Sequence, residues 1–230
     1  MKRLFVTGTD TEVGKTFIAQ KILREFANAQ QRVVGFKPIA SGCDVTEQGL
    51  RNEDALALQG NSSVELPYAN VNPFAFEEAI APHIAARNTH TLLDVSCIND
   101  AYEQLYQFHP DCIVTEGAGG WRLPLGNGQF MSEFAVQQKM SVVLVIGLRL
   151  GCLNHARLTA EAILRDGLSI VGWVANQVDP NMPYQQDNLA TLQEQLMCDF
   201  DTRCLGFQPW QSADSDNANA TNTLDLSGLI

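Results

Sequence analysis

Residues 2–16, KRLFVTGTDTEVGKT, decide the fold. Leu4, Phe5 and Val6 form a short apolar run that suits a buried strand, and Gly8 and Gly14 bound a polar loop. Lys15 and Thr16 open a helix, because Ile18, Ile22, Leu23 and Phe26 recur three and four residues apart. Strand, glycine loop, Gly-Lys-Thr and helix make a P-loop. Successive backbone N–H groups and a helix N-terminus converge there on one point, which attracts a phosphate. Lys15 adds a mobile positive charge for the β- and γ-phosphates, and Thr16 a hard oxygen ligand for Mg²⁺. The spacing departs from the usual form: five residues, Thr9 to Val13, separate Gly8 from Gly14, where four are usual. A strand–turn–helix junction with incidental glycines is the plainer alternative. Gly-Lys-Thr lying directly between an apolar strand and an amphipathic helix argues against it.

Outward from this loop, strands and helices alternate. Residues 32–37 (RVVGFK) read as a second buried strand, stopped by Pro38. Lys37 and Ser41 then lie at its carboxyl end, the edge where open parallel sheets bind ligands. Residues 51–59 read as a short helix carrying Asp54, residues 60–80 as irregular, and Pro82 as the start of a helical turn. Val95, Ile98, Tyr102 and Leu105 predict a surface helix over 94–108, capped by Asp94 and stopped before Pro110. Residues 112–115 form a third strand, followed by Glu116-Gly-Ala-Gly-Gly. A helix over 131–139 precedes residues 142–146, VVLVI, the clearest buried strand. Residues 151–154 lead into a helix with Leu153, Ala156, Ala160 and Ile163 on one face. A strand over 170–175 ends at Asn176, a helix spans 184–197, and a short strand over 203–207 precedes Pro209 and Trp210. Several strands are apolar on both faces. The expected fold class is α/β, a mostly parallel sheet flanked by helices on both faces, like a P-loop NTPase. The expected organisation is one domain over 1–210 and a polar tail over 211–230.

The 230 residues are 45% hydrophobic and carry a formal net charge of −11, with no run of Lys or Arg. Nucleic acid and anionic membranes are thereby disfavoured as partners. The start, MKRLFV, is too short in its apolar part for a signal segment, and no apolar run is long enough to span a bilayer. The cytoplasm is the expected compartment. The six cysteines include no C-x-x-C pair, and no zinc pattern is complete. Reduced thiols are expected.

Four loops should meet at the carboxyl edge of the sheet. Asp54 and Glu116 are candidate Mg²⁺ carboxylates beside Thr16. Asp54 taken alone reads equally well as a charge at the front of a helix. Glu116 ends a buried strand and precedes glycines, which suggests close approach by a ligand. Lys37 is either a snorkelling strand-end lysine or a charge that stabilises an anionic reactant beside the γ-phosphate. Ser41 and Gly42 lie where that reactant would sit.

GTDTEVGKT, KPIASG, RNEDALAL, VNPF, EGAGGW, GLRLGCLNHARLT and GWVANQV occur in the order in which the dethiobiotin synthetase family carries such segments. The resemblance runs from about Arg3 to Trp210. It implies ATP-dependent ring closure of 7,8-diaminopelargonate with CO₂ (or bicarbonate as its source) to dethiobiotin, ADP and phosphate. The steps implied are carbamate formation, phosphorylation to a carbamic–phosphoric anhydride, and attack by the second amine. It implies Lys37 and Lys15 as catalytic lysines, and Thr16, Asp54 and Glu116 as Mg²⁺ ligands. It implies ATP contacts from Glu12, Val13, Gly14, Lys15, Thr16, Phe17, Asp54, Glu116, Gly117, Ala118, Gly119, Asn176, Gln177, Pro209, Trp210 and Gln211. Thr11 and Ser41 would seat the diamine and carbamate. Gly151, Cys152 and Asn154 would bind the substrate carboxylate across a homodimer interface. Gln177 stands where an acidic residue is common in the family, and Arg149 where a lysine is also found. The main competing reading is a P-loop switch ATPase without ligase activity; a second is another P-loop amide-forming enzyme, of corrin synthesis, whose usual amidotransferase domain 230 residues leave no room for. The acidic charge and the otherwise idle Lys37 and Ser41 weigh against the switch reading.

Overall fold

Leu4 to Gly8 are buried in succession, and this run lies in the middle of a sheet. The computed structural model describes residues 1–210 and 224–230. Six strands form the frame: β1 Lys2–Gly8, β2 Val33–Phe36, β3 Cys112–Gly120, β4 Ser141–Leu148, β5 Ile170–Gln177 and β6 Cys204–Gln208. Their order is β6-β5-β4-β1-β3-β2, and every pairing is parallel. Parallel neighbours need long crossovers. These contain α1 Lys15–Asn28, α2 Glu53–Asn61, α3 Val95–Glu103, α4 Met131–Gln137, α5 Cys152–Arg165 and α6 Gln185–Phe200. Unbroken buried runs in β1, β2 and β4 mean that both faces of the sheet are covered. Ile18, Ile22, Leu23 and Phe26 of α1 are fully buried, each contributing roughly 2 kcal/mol. Phe36, Tyr102 and Phe134 join β2, α3 and α4 through an aromatic cluster with centroids 5.4–6.4 Å apart.

The chain moves from β3 across β1 to β4, so β1 marks the point where the winding reverses. Ligand crevices open at such points, beyond the carboxyl ends of the strands. Gly8, Lys37, Glu116, Asn176 and Gln208 all lie at that edge.

Several sequence expectations need adjustment. The strand expected over 112–115 continues to Gly120, because β1 keeps pairing with it: Val6 opposes Glu116 and Gly8 opposes Gly120. Glu116 is therefore a strand residue, not the first residue of a loose glycine run. The helix expected over 94–108 is α-helical only to Glu103. It tightens to a 3₁₀ turn over Gln104–Phe108 and ends at His109 with φ 50°. Asp94 caps it as expected, accepting from the Cys97 N–H at 2.8 Å. Residues 60–80 are not wholly irregular. Tyr68–Val71 is a helical turn, and Phe74–Phe76 pairs in parallel with Ile39–Ser41. That small ladder fixes Ser41.

Of the tail expected over 211–230, residues 211–223 lie outside the described residues. From Leu224 the chain is back on the sheet: Leu224 bridges Gly206 of β6 in antiparallel fashion, and Leu224, Leu226 and Leu229 are buried. No helix among the described residues is long and apolar enough to cross a membrane.

Candidate active site

The phosphate loop is shaped by two glycines that accept no side chain. A Cβ on Gly8 would meet Val13 Cγ2 at 2.4 Å, and one on Gly14 would meet Asn176 Nδ2 at 2.2 Å. Gly14 also sits at φ 87° before the first turn of α1, a left-handed conformation suited to glycine. Asn176 Nδ2 donates to the Val13 carbonyl at 2.9 Å, tying the loop to the end of β5. On the other side, Asp10 is a hub. Its Oδ1 accepts from the Thr11 N–H at 2.8 Å, its Oδ2 pairs with Arg149 at 2.5 Å, and its carbonyl accepts from Lys15 Nζ at 2.8 Å.

Lys15 is 7% exposed. Burial and the neighbouring Lys37 lower its pKa to about 8, against the pull of Glu116, Asp54 and Asp10. An ammonium held this weakly gains most from a phosphate nearby.

Lys37 is held from both ends. Its N–H donates to the Val71 carbonyl at 2.8 Å, and its carbonyl accepts from buried Asn72 Nδ2 at 2.7 Å. Tyr68 Oη links Asn72 to the Asn52 N–H, and Asn52 caps α2, which carries Asp54. The side chain reaches inward. Lys37 Nζ donates to Glu116 Oε1 at 2.5 Å and to Asp54 Oδ2 at 3.2 Å. Burial works to lower the Lys37 pKa, but Glu116 and Asp54 outweigh it and hold it raised. Burial pushes the Glu116 carboxyl upward, opposed by Lys37 and Thr16. Thr16 Oγ1 also donates to Glu116 Oε1, at 2.9 Å, while Glu116 Oε2 is buried with no hydrogen-bond partner.

These groups face a cavity of about 1070 Å³. Of the expected site residues, Thr11, Glu12, Gly14, Lys15, Thr16, Phe17, Lys37, Ser41, Asp54, Glu116, Ala118 and Gly119 line it. A smaller cavity of about 360 Å³ shares Glu12, Gly14 and Phe17 with it and adds Asn176, Gln177, Pro209 and Trp210. The two together make one groove from Ser41 to Trp210. Such volumes suit small-molecule ligands, whose pockets run to roughly 300–1,000 Å³. Val13 is fully buried behind the loop, and Gly117 packs against the Phe5 ring, so their side-chain positions face away from the groove. Gly151, Cys152 and Asn154 line neither cavity. Gln211 lies outside the described residues.

Sequence reading missed three positioning elements. The Asp10–Arg149 pair joins residues 139 apart, which spacing does not reveal. Gln177 Oε1 accepts from the Trp210 N–H at 3.0 Å and its Nε2 donates to Gln185 at 2.8 Å, so this side chain braces the wall of the smaller cavity. Asn72, within the quoted VNPF segment, clamps Lys37.

A family model described as AAA domain matches residues 2–215. Among solved structures, the MinC:MinD cell division protein complex of Aquifex aeolicus gives a TM-score of 0.56 at 14% identity, covering 92% of this chain and 82% of that one. The septum site-determining protein MinD complexed with Mg-ADP from Pyrococcus horikoshii gives 0.55 at 13% identity, covering 90% and 81%. At these identities the likeness speaks for the fold alone. Sheet order, Gly-Lys-Thr loop and AAA-domain match together define a P-loop α/β protein of the nucleotide-using class. ATP-dependent dethiobiotin synthetase BioD of Pseudomonas paraeruginosa is 49% identical over 229 residues, 100% of this chain and 98% of that one. The protein of the same name from Aeromonas hydrophila is 44% identical over 230 residues, 100% of both chains. The chain belongs to the ATP-dependent dethiobiotin synthetase family.

Proposed function

We propose that this chain joins 7,8-diaminopelargonate and CO₂ at the expense of ATP, giving dethiobiotin, ADP and phosphate. Beyond family membership, one observation carries the reading. The phosphate loop and a second, fully committed lysine, Lys37, line one cavity and meet at Glu116. A nucleotide site alone has no use for Lys37. A reaction that brings an anionic nucleophile to a polyanion does.

One amine of the substrate takes up CO₂ as a carbamate, releasing a proton. A carbamate oxygen attacks the γ-phosphorus as the bond to ADP breaks, forming a carbamic–phosphoric anhydride. The second amine then attacks the carbonyl carbon. Its proton is lost, and inorganic phosphate leaves with the former carbamate oxygen. The protein's part is positioning and charge. The N–H groups of residues 12–16 and the start of α1 hold the phosphates. Lys15 reaches them once released from Asp10. Lys37 stabilises charge on the carbamate and the transferring phosphoryl group. Ser41 Oγ, buried and without a hydrogen-bond partner, would hold the carbamate, with Thr11 lining the same cavity.

Thr16, Asp54 and Glu116 fit Mg²⁺: three hard oxygens, of which Glu116 Oε2 is buried and unpartnered. Two carboxylates and one hydroxyl leave coordination places of such an ion open. That agrees with an ion completed by phosphate oxygens and water. When bound, it would neutralise charge on the β- and γ-phosphates. Asn176, Gln177, Pro209 and Trp210 would flank the nucleoside. Gly151, Cys152 and Asn154 lie off the groove, at the start of α5 beside Leu150, which is 94% exposed. A homodimer that brings the partner's copy of this helix start to the substrate carboxylate would give both features a purpose. The need for ATP points to the cytoplasm.

The test is phosphate release from Mg·ATP with and without the diamine and bicarbonate, with the product identified by mass. Release that requires the diamine, with equimolar dethiobiotin, is expected. Hydrolysis indifferent to the diamine, with no organic product, would mean a switch ATPase instead.

A further inference from the structure

Lys37 occupies the surroundings that a divalent cation would need. Glu116 Oε1 accepts from Lys37 Nζ at 2.5 Å and from Thr16 Oγ1 at 2.9 Å, and Asp54 Oδ2 lies 3.2 Å from the same Nζ. Two of the three side chains that fit the metal thus hold this ammonium, and the third, Thr16, bonds to the same Glu116 oxygen. Lys15 does not share the role, since its Nζ donates to the Asp10 carbonyl.

We propose that in the nucleotide-free protein the Lys37 ammonium stands in for the divalent cation, and that metal loading displaces it from Glu116 and frees it for the anionic substrate. This rests on the reading of Thr16, Asp54 and Glu116 as the metal's holders. Glu116 is 1% exposed, and a buried carboxylate left unpaired is strongly unfavourable. Some cation must serve it before the nucleotide arrives. Lys37, 5% exposed and clamped at its backbone by Asn72 and Val71, is the one built in. The Asp54 side chain is 45% exposed, so an incoming ion meets solvent-accessible oxygen first.

An ion on the free Oε2 of Glu116 would lie beside the ammonium held on Oε1, and two cations so close repel strongly. The exchange also solves a problem of timing. While Lys37 serves two carboxylates, its donor capacity is committed to them and not open to a carbamate. Once the ion takes those carboxylates, the ammonium is available. Substrate activation is thereby conditional on a loaded metal site.

Mn²⁺ is the probe, titrated into nucleotide-free protein and followed by electron paramagnetic resonance. Lys37→Met should bind Mn²⁺ at least about tenfold more tightly than the natural chain, because the resident competitor is gone. Glu116→Gln, alone or with Lys37→Met, should bind none. Equal or weaker binding by Lys37→Met, or binding by neither protein, overturns the proposal. Undiminished binding by Glu116→Gln would instead overturn the metal-holder reading beneath it. Lys37→Met leaves a buried carboxylate unpaired and can fail to fold, so a second measurement uses the unaltered protein. Acylation of Lys37, quantified by mass spectrometry against exposed Lys139, should rise about tenfold when Mn²⁺ is added without nucleotide. Lys37 labelling that does not change with the metal also overturns the proposal.

Discussion

The two ends of the groove are built differently. At the phosphate end, Lys15, Lys37 and Glu116 are each less than a tenth exposed, and their polar atoms are bonded mainly to one another and to backbone. At the far end, Pro209 and Trp210 are exposed, Trp210 by half, and the wall is held by the amide of one glutamine. Charge is worth more where water is excluded. On the proposed reading the chemistry belongs at the buried end, while the open end contributes binding but little rate. Substitutions at the first should lower kcat, and those at the second should raise KM for the nucleotide.

The largest effect should follow Lys37→Ala. Turnover should fall by about 10³-fold, with nucleotide binding largely kept, if the lost group acts on the transferring phosphoryl as proposed. Steady-state kinetics with parallel nucleotide titration check this; near-normal turnover would remove Lys37 from the chemistry. Next is Gly14→Ala. Its Cβ would fall on Asn176 Nδ2 and its φ of 87° would be strained, so ATP binding should be lost and the melting temperature should drop. A cost of about 1–3 kcal/mol is expected from calorimetry. If Gly14→Ala bound ATP normally, the loop would not grip the phosphates as described.

Lys15→Met sharpens the comparison by splitting function from stability. The Lys15 pKa is lower in the folded chain, about 8, than the ordinary 10.5. Below pH 8 the folded state bears the cost of a buried ammonium, and that cost is relieved as pH rises from 8 towards 10.5. Lys15→Met should therefore inactivate the enzyme yet stabilise the nucleotide-free protein at pH 7 by about 1–3 kcal/mol, the gain shrinking as pH rises. A variant less stable than its parent at pH 7 would contradict the burial argument. The smallest effect is at the open end. Gln177→Ala should raise KM for ATP by about two- to fivefold and leave kcat unchanged. A fall in kcat would show that this wall reaches the chemistry.

The frame was legible because its signals are local. Apolar runs gave β1, β2 and β4, and Gly-Lys-Thr after a strand located the phosphate loop. Glu116 shows the limit: its neighbours in sequence suggest a loop, while pairing with β1, more than a hundred residues away, makes it strand. The small ladder at Ser41 was hidden for the same reason, since Ile39–Ser41 and Phe74–Phe76 are meaningful only as a pair. Among the residues lining the groove, the charged and hydroxyl side chains were readable by type, whereas Asn72, Gln177 and the Asp10–Arg149 pair act on backbone or on distant partners. A polar side chain that holds another residue in place leaves no periodic mark in the sequence.

The return of the chain at Leu224 has a consequence beyond packing. β6 is an outermost strand, and its free side would present a row of unpaired amides and carbonyls. Leu224 meets Gly206 there, and the Asp225 N–H donates to the Leu205 carbonyl at 2.7 Å. Residues 224–226 thus act as a stopper against edge-to-edge stacking of one molecule on the next. This cover lies at the sheet edge, three strands from β1 and its phosphate loop.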